Sequence, residues 1–550
     1  MARSRVGVQV GSLLPSLPSA FVAKPVFQPR RFQTTTAAAA PAAPTPIPLK
    51  TSNLPPISER ESVTVPTFDR KAGRHGIVHV GVGGFHRAHL AVYMNRLLSK
   101  LPSTEWAICG VGLTKWDAPM RDAFNAQDNL YTVLERGTNG SSAHVVGAIT
   151  DYIFAPGNAE PVIAKMAHPD TKIVSMTITE GGYFYNENTH QLKVEDELIK
   201  ADLSGQGQPQ TFFGHVYEAL VRRHAAGLKP FTVLSCDNMQ KNGDITRNML
   251  LSFSSLKNPE IAKWIAENGA FPNSMVDRIT PRTSEEDKTF LSTEFGIQDA
   301  WPVVTEPFSQ WVLEDQFCDG RPPLEKVGVQ VVSSVHDVEQ FEMHKLRLLN
   351  ATHSTIAYLG YLAGFKYVHE VFADPTWSKF VSNIMHLEVK PLLPSIPSVD
   401  LDHYCDTLQA RFRNAALKDE LARLVMGGSG KIPQFIMPTI AEQIRKANET
   451  NMPELAPLHR LTLALAGWFR YLNGIDEQGN EIPITDRDEP NIENLQKKAR
   501  EGGVDPSALM SIRELFGDDL RDDERFMRIL RQSMASLNEL GARETVARRV

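Results

Sequence analysis

Cysteine is scarce in this 550-residue chain, and its few thiols are not spaced as a metal or redox motif requires. The four cysteines are Cys109, Cys236, Cys318 and Cys405. No two of them form a C-x-x-C pair, so neither a zinc cluster nor a disulfide framework is indicated. Histidines are more frequent, but the one close pair, His86 and His89, stands beside a glycine turn that has another use. We therefore expect no bound metal ion.

Long hydrophobic runs are also missing, although 42% of the residues are hydrophobic. The apolar stretch Leu458 to Leu472 is interrupted by Arg460 and Arg470. No run approaches the roughly 20 residues that span a bilayer, so the sequence predicts no membrane span. Because 550 residues exceed the size at which one hydrophobic core stops growing, we expect at least two domains. The sequence does not specify an oligomeric state.

Acidic residues are absent from the first 58 positions, which contain six Lys or Arg residues among many Ser, Thr and Ala residues. This bias is typical of an organelle transit peptide, and the segment from Gln33 to Pro48 is typical of a disordered linker. We interpret residues 1–58 as a mitochondrial transit peptide and linker. A low-complexity extension without a targeting role is the alternative. Removing six positive charges from a net charge of −6 leaves −12, which disfavours nucleic acid as a partner.

The body of the chain opens with a predicted strand, a glycine turn and a predicted helix, from Gly76 to Leu98. In that order, glycines let the backbone approach the pyrophosphate of a dinucleotide near the start of the helix. The expected cofactor contacts of this turn are Gly81, Gly83, Gly84, Phe85 and Arg87. His86 replaces the third glycine of the usual G-x-G-x-x-G motif, so a tight turn without a ligand is the alternative.

The second predicted strand, Trp106 to Val111, leads to the segment where the adenosine ribose of a dinucleotide is expected. An acidic residue there would bind the ribose 2′-hydroxyl of NAD, whereas a cation would suit the 2′-phosphate of NADP. Lys115 precedes Asp117 by two positions, so both kinds of side chain are present. The sequence predicts NAD as the cofactor and leaves NADP open. Lys115 as a solvated loop residue is a further alternative.

Two more apolar strands are predicted at Lys172 to Thr179 and Phe231 to Asn238, with helical stretches between and after them. In a parallel sheet, ligands collect at the carboxyl ends of the strands. Glu180 follows the first of these strands and Asn238 ends the second, so both are placed near a site. Their alternative role is to terminate the strands.

Helical patterns dominate from about His336 onward, after a last predicted strand at Val327 to Val332. We therefore predict an α/β fold with a Rossmann-type dinucleotide-binding domain at residues 71–335. A second, mainly α-helical catalytic domain is predicted at residues 336–550. Ligand clefts often lie between domains, and the start of the second domain carries the most suggestive polar residues.

The stretch from Phe341 to Gly364 predicts a helix that is buried over much of its surface. At about 100° per residue, four polar side chains fall within an arc of about 140° and can face one site: Glu342, Lys345, Asn350 and His353. Desolvation lowers the pKa of a lysine toward the range of a general base. Asn350 and His353 would donate hydrogen bonds to an oxygen that gains negative charge. The alternative is a helix whose polar residues form caps and interhelical bonds.

Four other charged positions carry weak signals when taken alone. Asp277 and Arg278 lie in a compact segment bounded by prolines, where a local salt bridge is expected. The motif GGSGKIPQF, Gly427 to Phe435, predicts a flexible turn that presents Lys431, with Arg423 shortly before it. A charged loop of this type is usually solvated surface.

Six motifs within residues 71–550 together resemble the long-chain polyol dehydrogenases, also called the mannitol dehydrogenase family. In chain order they are GVGGFHRAH (Gly81 to His89), TITEGGY (Thr177 to Tyr183), SCDN (Ser235 to Asn238), FPNSMVDRITP (Phe271 to Pro281), WPVVTEPFSQWVLED (Trp301 to Asp315) and K-x-x-x-x-N-x-x-H (Lys345 to His353). The set is highly specific to that family, whereas the glycine turn alone is not.

The resemblance implies a Rossmann-type N-terminal domain, a mainly helical C-terminal domain and a metal-independent site between them. It implies that Lys345 is the general base of the reaction. Asn350 and His353 would bind the reacting oxygen, and Asn238 would help to hold this oxygen and the lysine.

The resemblance also assigns roles to five charged residues. Asp277, Arg423 and Lys431 fall at positions that hold substrate hydroxyls in the family. Glu342 and Glu180 match acidic residues that are linked there to proton movement and to the polarity of the site.

The activity that the resemblance implies is hydride transfer between a linear polyol or its ketose and a nicotinamide cofactor, with D-mannitol and D-fructose as the expected pair. The same chemistry on arabinitol, sorbitol or a hexuronate is the nearest alternative. An alternative of another class is a nucleotide-binding regulator without catalysis. Family members that prefer NAD have an acidic residue at the ribose position, and Lys115 departs from that pattern. No nucleic acid or membrane partner is expected.

Overall fold

The computed structural model describes residues 44–550, except for residues 72, 102–104, 187–188, 456–457, 487–488, 490 and 518. Residues 1–43, which include most of the predicted transit peptide, lie outside the described residues. In the described part of the chain, strands end with Gln330–Val332 and helices follow from Val335 onward. The predicted boundary between the two domains falls at this change, and the exact boundary remains a prediction.

Five parallel strands form the central sheet, and their order is that of a Rossmann-type fold. In chain order they are β1 (Ile77–Val80), β2 (Ile108–Gly112), β3 (Ile149–Phe154), β4 (Ile173–Met176) and β5 (Thr232–Ser235). Across the sheet the order is β3-β2-β1-β4-β5, and every neighbouring pair is parallel. The strand order reverses between β1 and β4. Ligands of such sheets bind at that reversal, outside the carboxyl ends of the strands.

Both faces of the central sheet are buried, which explains why its strands are apolar without alternation. In β1, Ile77 packs into one hydrophobic cluster, whereas Val78 and Val80 pack into another on the opposite face. The helices of this half of the chain are Gly84–Ala88, Leu90–Leu98, Ala118–Ala126, Glu160–Ala167, Glu197–Ser204, Phe212–Ala225, Asn242–Lys257, Pro259–Asn268 and Glu285–Phe295. The predicted Rossmann-type architecture is confirmed.

Smaller sheets that the sequence analysis does not predict extend this half of the chain. One contains Val303–Thr305, Tyr131–Gly137, Gly140–Val146 and Val63–Thr64. Another contains Ser274–Asp277, Gln310–Glu314 and Gln330–Val332. Two short pairs complete the set, Ile47–Pro48 with Ile297–Gln298 and Tyr185–Asn186 with Gln191–Leu192. The proline-bounded segment that carries Asp277 thus contains a strand. The local salt bridge expected between Asp277 and Arg278 is wrong, because Asp277 pairs with Arg411 and Arg278 with Glu135.

The second half of the chain is helical and has its own hydrophobic core, in which Ile356, Trp468 and Leu530 are fully buried. Its helices are Val335–His344, Lys345–Asn350, Ala351–Leu362, Val368–Ala373, Pro375–Asn383, Ile384–Val389, Leu401–Phe412, Leu421–Leu424, Gly428–Phe435, Met437–Glu449, His459–Tyr471, Ile492–Gly502, Ser507–Met510, Arg513–Phe516 and Glu524–Ala547. The prediction of a mainly α-helical C-terminal part is confirmed. Among the described residues, no helix combines the length and apolar character needed to cross a bilayer.

Residues 44–58, which the sequence analysis assigns to a disordered leader, are folded. Ile47–Pro48 pairs in parallel with Ile297–Gln298, and a helix follows at Leu54–Ser58. Leu49 and Ile57 are buried in a hydrophobic cluster that also contains Leu134 and other strand residues. The prediction of disorder is wrong for this segment because its few apolar side chains are spaced to reach a neighbouring core, which the low-complexity composition conceals.

Candidate active site

The predicted helix at the centre of the site forms, but it contains a π-helical turn that sequence periodicity does not reveal. It runs through Val335–His344, the π segment Lys345–Asn350 and Ala351–Leu362. The N–H of Ala351 donates to the carbonyl of Leu346, five residues back. A π turn holds more residues than an α turn, so side chains beyond it are rotated from the 100° spacing. The predicted arc of four side chains therefore does not describe the site.

Two neighbouring cavities divide those four side chains. Asn350 and His353 line a main cavity of about 740 Å³. Glu342 and Lys345 line a small crevice beside it. Asn238, at the carboxyl end of β5, lines both cavities and so connects them. The four residues predicted to face one site thus line two adjoining spaces, and their roles stay predictions.

Lys345 is buried, and its amine is held by two acceptors from the strand-containing half of the chain. Its Nζ donates to Asn238 Oδ1 and, at 2.6 Å, to the carbonyl oxygen of Val276. Only 6% of Lys345 is exposed. Burial lowers the pKa of the amine, the Asp277 carboxylate opposes this effect, and the Arg411 guanidinium adds to it. A buried lysine with a lowered pKa is the chemical form that a general base needs.

Two polar groups on the main cavity are buried without a hydrogen-bond partner among the described residues. They are Asn350 Nδ2 and His353 Nε2. Buried polar atoms in native proteins are nearly always bonded, so such a pair at a cavity wall indicates a site for a polar ligand. Burial lowers the pKa of His353 to about 4, which keeps its ring neutral at pH 7. Both side chains can therefore act as neutral donors to an oxygen atom.

Glu342 occupies the crevice next to Lys345. It is 7% exposed, and burial raises the pKa of its carboxyl to about 8. Its Oε1 has no hydrogen-bond partner within the described part of the chain. A pKa of about 8 lets Glu342 gain and lose a proton near neutral pH, and Glu342 lies one helical turn before Lys345.

The two cations predicted to hold substrate both line the main cavity. The Arg423 guanidinium is anchored by Asp419 at 2.6 Å, while the Lys431 amine donates to the Leu424 carbonyl at 3.3 Å. Burial, followed by the charge of Arg423, lowers the pKa of Lys431 to about 8. Both side chains therefore lie at the candidate site, although the sequence around each of them alone predicts a solvated surface loop.

The glycine-rich stretch that carries Lys431 is not the flexible turn that the sequence predicts. It forms the helix Gly428–Phe435, preceded by Gly427 at a φ of 70°. Buried Glu489 accepts hydrogen bonds from the N–H of Gly428 at 2.7 Å and of Ser429 at 3.0 Å. A carboxylate from more than fifty residues away thus caps this helix, which sequence reasoning missed because the cap is not local.

Asp277 lies beside Lys345, behind the residues that line the main cavity. It is 4% exposed, and its two carboxylate oxygens accept hydrogen bonds from Arg411 at 2.8 and 2.9 Å. Burial alone would raise its pKa, but the Arg411 guanidinium holds the pKa below its ordinary value. The direct substrate contact that the resemblance implies for Asp277 is not supported by this geometry. A buried carboxylate requires a cationic partner, and here it already has one.

Two acidic residues mark the carboxyl ends of the central strands. Glu180 follows β4, is exposed and lines the main cavity, as predicted from its position. Asp237 follows β5 and accepts from the N–H groups of Ile178 and Thr179, both at 3.0 Å, and from the hydroxyl of Tyr183 at 2.8 Å. Asp237 thereby ties the loop after β4 to the end of β5 and positions both for the site.

The glycine turn after β1 has the backbone geometry that a dinucleotide requires. Gly81 has a φ of 87°, and a Cβ there would lie 2.1 Å from the carbonyl oxygen of Thr177. At Gly83 the nearest atom to an added Cβ is 4.0 Å away, and the helix Gly84–Ala88 begins directly after it. Gly81 thus lets two strand ends approach closely, while Gly83 and Gly84 leave the outer side of the turn open. These residues fit a bound dinucleotide.

Phe85 and Arg87 face the protein from the same turn. Phe85 is half-buried and stacks on His89 with ring centroids 5.0 Å apart. Arg87 is 2% exposed, and its Nη1 donates to the carbonyl of Trp301 at 2.5 Å. The predicted cofactor contact of Arg87 is not supported, because its guanidinium is bound in the interior. Its helix turns the side chain away from the open side of the glycine turn.

In the loop after β2, the charged residues Lys115 and Asp117 have different environments. The carboxylate of Asp117 accepts from the N–H and the hydroxyl of Thr114, each at 2.9 Å. Lys115 is exposed, with its Nζ 5.0 Å from the centroid of the exposed Trp116 ring. Asp117 therefore stabilises the loop, and Lys115 is the charged group of this pair that remains accessible to a ligand.

Several cavity-lining residues carry no signal in the sequence. They are Ser354, Leu424, Ser429, Gln434, Phe435 and Glu514. Most belong to helices that reach the cavity only through the packing of the helical half, so neither spacing nor composition identifies them. Within the described residues, no group of three or more His, Cys, Asp or Glu side chains is arranged to hold a metal ion.

Family models and curated relatives match the chain over most of its length. A mannitol dehydrogenase Rossmann domain matches residues 75–326, and a mannitol dehydrogenase C-terminal domain matches residues 337–538. The mannitol 2-dehydrogenase of Phaeosphaeria nodorum is 61% identical over 491 residues, which cover 89% of this chain and 84% of that relative. The mannitol 2-dehydrogenase of Aspergillus fumigatus is 58% identical over 506 residues, which cover 91% and 99% of the two chains.

Two solved structures share the fold. The mannitol 2-dehydrogenase of Pseudomonas fluorescens, in a ternary complex with NAD and D-mannitol, matches with a TM-score of 0.82 and 39% identity over 91% of this chain and 99% of that chain. A substrate-free D-sorbitol dehydrogenase matches with a TM-score of 0.79 and 37% identity over 91% and 100% of the two chains. With both family models and close relatives matching along the same residues, the chain belongs to the mannitol dehydrogenase family.

Proposed function

We propose that this protein is an NAD-dependent polyol dehydrogenase that interconverts D-mannitol and D-fructose. The names of its relatives at 58–61% identity support this activity, as does the complex with NAD and D-mannitol of a solved relative. The observation that carries the proposal is the buried Lys345 amine next to a cavity with two unpartnered donors, Asn350 Nδ2 and His353 Nε2. This arrangement suits the removal of a proton from an alcohol whose oxygen must then be stabilised.

Lys345 is the general base of the proposed oxidation. Desolvation favours its neutral form, which accepts the proton of the C2 hydroxyl as the alcohol carbon becomes a carbonyl carbon. In the reduction of fructose the protonated amine returns this proton to the ketose oxygen. The Val276 carbonyl fixes the position of the amine in both directions. NAD, when bound, supplies the hydride acceptor of the oxidation.

Asn350, His353 and Asn238 stabilise the reacting oxygen. The first two offer neutral donor groups that have no other partner in the described structure. Asn238 accepts a hydrogen bond from Lys345 through its Oδ1, which leaves its amide N–H groups for the same oxygen. Preorganised donors in a desolvated site stabilise a developing alkoxide far more than water does.

Glu342 is proposed to exchange the proton of Lys345 with solvent. Its carboxyl lies in the crevice that also contains Lys345, and its raised pKa of about 8 lets it both give and take a proton near neutral pH. Gly81, Gly83 and Gly84 are proposed to hold the cofactor pyrophosphate through their backbone, and Lys115 to lie near the adenosine ribose.

The charges that line the main cavity favour a neutral polyol over a hexuronate. Arg423 and Lys431 face Glu180 and Glu514 across the same space, and the pKa of Lys431 is lowered to about 8. A substrate carboxylate would gain from the two cations but would be repelled by the two acidic side chains. Hydroxyl groups can bond to all four residues. Sorbitol and arabinitol are neutral polyols as well, so an assay separates them from D-mannitol.

One panel of substrates tests the proposal. The purified protein is assayed with D-mannitol, sorbitol, arabinitol, fructose and a hexuronate, each with NAD or NADP, in buffer with and without EDTA. We expect the highest kcat/KM with the pair D-mannitol and D-fructose and no effect of EDTA. A higher kcat/KM with another polyol or with the hexuronate would identify that compound as the substrate instead of D-mannitol. A protein that binds NADH but turns over none of them would be a regulator without catalysis.

We also propose that the chain is imported into mitochondria. The support is the basic, acid-free composition of the N-terminal region, of which residues 1–43 precede the first described residue. A reporter that carries residues 1–43 is expected to enter mitochondria and to be shortened on import. A diffuse, full-length reporter in the cytosol would reject the proposal. A matched reporter with Arg3, Arg5, Arg30 and Arg31 changed to Gln controls for the role of charge.

A further inference from the structure

Arg411 binds two carboxylates at once in the interior of the protein. On the helix Leu401–Phe412, its guanidinium donates to both oxygens of Asp277 at 2.8 and 2.9 Å and to both oxygens of Glu306 at 2.8 and 2.9 Å. Its guanidinium also lies over the ring of Phe308, 4.0 Å from the centroid. Arg411 is 7% exposed, and the two carboxylates are 4% and 1% exposed. Paired forks of this kind are among the strongest ionic contacts in proteins.

The cluster lies next to the proposed base. Asp277 directly follows Val276, whose carbonyl accepts the hydrogen bond from Lys345 at 2.6 Å. Both residues belong to the strand Ser274–Asp277, whereas Arg411 comes from the helical half of the chain. The bond between Arg411 and Asp277 therefore connects the two halves within one residue of the contact that holds the amine.

Four charged or titratable groups surround the Lys345 amine. The Asp277 carboxylate raises the pKa of Lys345, Arg411 lowers it and Glu342 raises it, all against the larger lowering by burial. His89, from the helix break after the glycine turn, also faces Lys345, and burial lowers the pKa of its ring to about 3. Since His89 is neutral throughout the working range, the charge near Lys345 is set by Asp277, Arg411 and Glu342, together with Glu306, which shares the Arg411 guanidinium with Asp277 and whose pKa burial raises.

We propose that Arg411 is a positioning residue for the reaction, which keeps the Lys345 amine in its neutral form by neutralising the adjacent Asp277 carboxylate and by holding the strand that carries Val276. This inference rests on the proposed role of Lys345 as the base. It also explains why a buried carboxylate can lie beside a base that must lose its proton. Without the guanidinium, Asp277 would stabilise the ammonium form of Lys345.

A purely structural role for Arg411 predicts a different outcome from an electrostatic one. If Arg411 only joins the two halves, its loss lowers stability and turnover but leaves the pH at which Lys345 titrates unchanged. If it neutralises Asp277, its loss raises that pH, and removal of the Asp277 charge lowers it. An opposite charge at close range moves a pKa by about 1–3 units, so the two shifts are measurable.

The experiment measures kcat/KM for D-mannitol oxidation at saturating NAD between pH 6 and 10 in the full-length protein. The variants are Arg411→Met, Arg411→Lys and Asp277→Asn. We expect the midpoint of the rising limb to move up by about one pH unit in Arg411→Met and down in Asp277→Asn. Arg411→Lys keeps the charge, so its midpoint stays near that of the wild type while kcat falls through the loss of the fork. Arg460→Met, which breaks the pairing of another buried glutamate, Glu388, is the matched control and should leave the midpoint unchanged.

The results separate the inference from the function on which it rests. A wild type without polyol oxidation refutes the proposed function. The inference is overturned if the wild type is active and the pH midpoints of Arg411→Met and Asp277→Asn both equal that of the wild type. It is also overturned if both midpoints shift in the same direction. If Arg411→Met does not fold, the nearly isosteric Asp277→Asn decides. It leaves the Arg411 guanidinium with one carboxylate partner fewer, so a midpoint that stays unchanged or rises in that variant would overturn the inference.

Discussion

In the proposed mechanism, side chains provide the chemistry around Lys345, whereas around the glycine turn the backbone provides the cofactor contacts. Near Lys345, polar atoms of Glu342, Asn350 and His353 are buried without a hydrogen-bond partner among the described residues. Near the glycine turn, the charged side chain of Arg87 is bound in the interior, and one carboxylate oxygen of Asp117 is bound by Thr114. What remains accessible in the turn is instead its main chain at the glycine positions, where the outer side is open. A reacting oxygen needs donors of defined chemistry, but a pyrophosphate needs close approach to a main chain.

The two regions should therefore respond differently to substitution. Loss of one functional group in the Lys345 region removes chemistry without disturbing the fold, because the helix is supported by the core on its other faces. In the glycine turn, addition of one methyl group should obstruct the approach of the cofactor to the main chain, and at Gly81 it also strains the backbone itself.

The substitution Lys345→Ala should reduce kcat for D-mannitol oxidation by about 10²–10⁴-fold, the usual contribution of a positioned general base. NADH affinity, measured by fluorescence titration, should be nearly unchanged, because the amine contacts Asn238 and Val276 and no part of the glycine turn. A variant with a near-normal rate between pH 7 and 9 would remove Lys345 from the mechanism.

Gly81→Ala should lower stability and abolish cofactor binding, whereas Gly83→Ala should affect cofactor binding alone. At Gly81 the φ of 87° and the 2.1 Å approach to the Thr177 carbonyl leave no room for a Cβ. Strained backbone of this kind costs about 1–3 kcal/mol before the clash is counted. At Gly83 the methyl group meets nothing closer than 4.0 Å, so the fold tolerates it.

Thermal unfolding and NADH titration of both glycine variants check this prediction. The expected pattern is a lowered Tm for Gly81→Ala only and weakened NADH binding for both. Equal Tm values for the two variants would show that the turn is not constrained at Gly81. Unchanged NADH binding in Gly83→Ala would show that the open side of the turn does not contact the cofactor.

Lys115→Glu should shift cofactor preference toward NAD. Asp117 is bound to Thr114, so Lys115 is the accessible charge of this loop and can pair with the 2′-phosphate of NADP. Such a partly exposed contact is worth about 1–3 kcal/mol, or roughly 5- to 150-fold in the ratio of kcat/KM values. We expect measurable NADP use by the wild type and little change in KM for the polyol. A ratio that stays within about twofold, roughly 0.4 kcal/mol, would make Lys115 a solvated loop residue.

The glycine-turn region should also be the more acid-sensitive one, because it buries three histidines with lowered pKa values, His79, His86 and His89, against one, His353, that lines the main cavity. The rings of His79 and His86 stack with centroids 3.3 Å apart, and burial lowers the pKa of His79 to about 3 and that of His86 well below its ordinary value. Histidines with depressed pKa values in the folded state bind protons more readily when unfolded. Stability is therefore complete above pH 6.5 and decreases as the pH falls from 6.5 toward 3.

Differential scanning fluorimetry at pH 7 and pH 5 measures this sensitivity. In His86→Leu the decrease of Tm between the two pH values should be smaller than in the wild type by a few °C. The reason is that this variant removes one buried imidazole whose nitrogens have no hydrogen-bond partner among the described residues. His168→Leu, at an exposed histidine, is the control and should behave as the wild type does. If Tm decreases equally in the wild type and in His86→Leu, the stacked histidine pair does not cause the loss of stability at low pH.

Local sequence patterns predict those parts of the molecule whose structure is determined locally. The apolar run Ile77 to Val80 followed by glycines predicts a buried strand and a turn, and both form. The apolar helix that carries Lys345 is predicted as well. Its π turn is not, because a wider turn depends on the packing around Lys345–Asn350 rather than on residue spacing.

Features that depend on contacts between distant residues could not be predicted. Arg411 meets Asp277 across 134 positions in the sequence, and Glu489 caps the Lys431 helix across about 60 positions. Neither residue is part of a local motif. The strand Ile47–Pro48 could not be predicted either, because its partner Ile297–Gln298 lies far along the chain.

The central claim is that Lys345 acts as the base because burial keeps its amine neutral, and the pH dependence of kcat/KM for D-mannitol oxidation at saturating NAD tests it most directly. The account predicts that the wild-type rate rises with unit slope and levels off at an apparent pKa below the ordinary lysine value of 10.5, and that this limb is lost in Lys345→Ala. A limb that persists unchanged in Lys345→Ala would contradict the account.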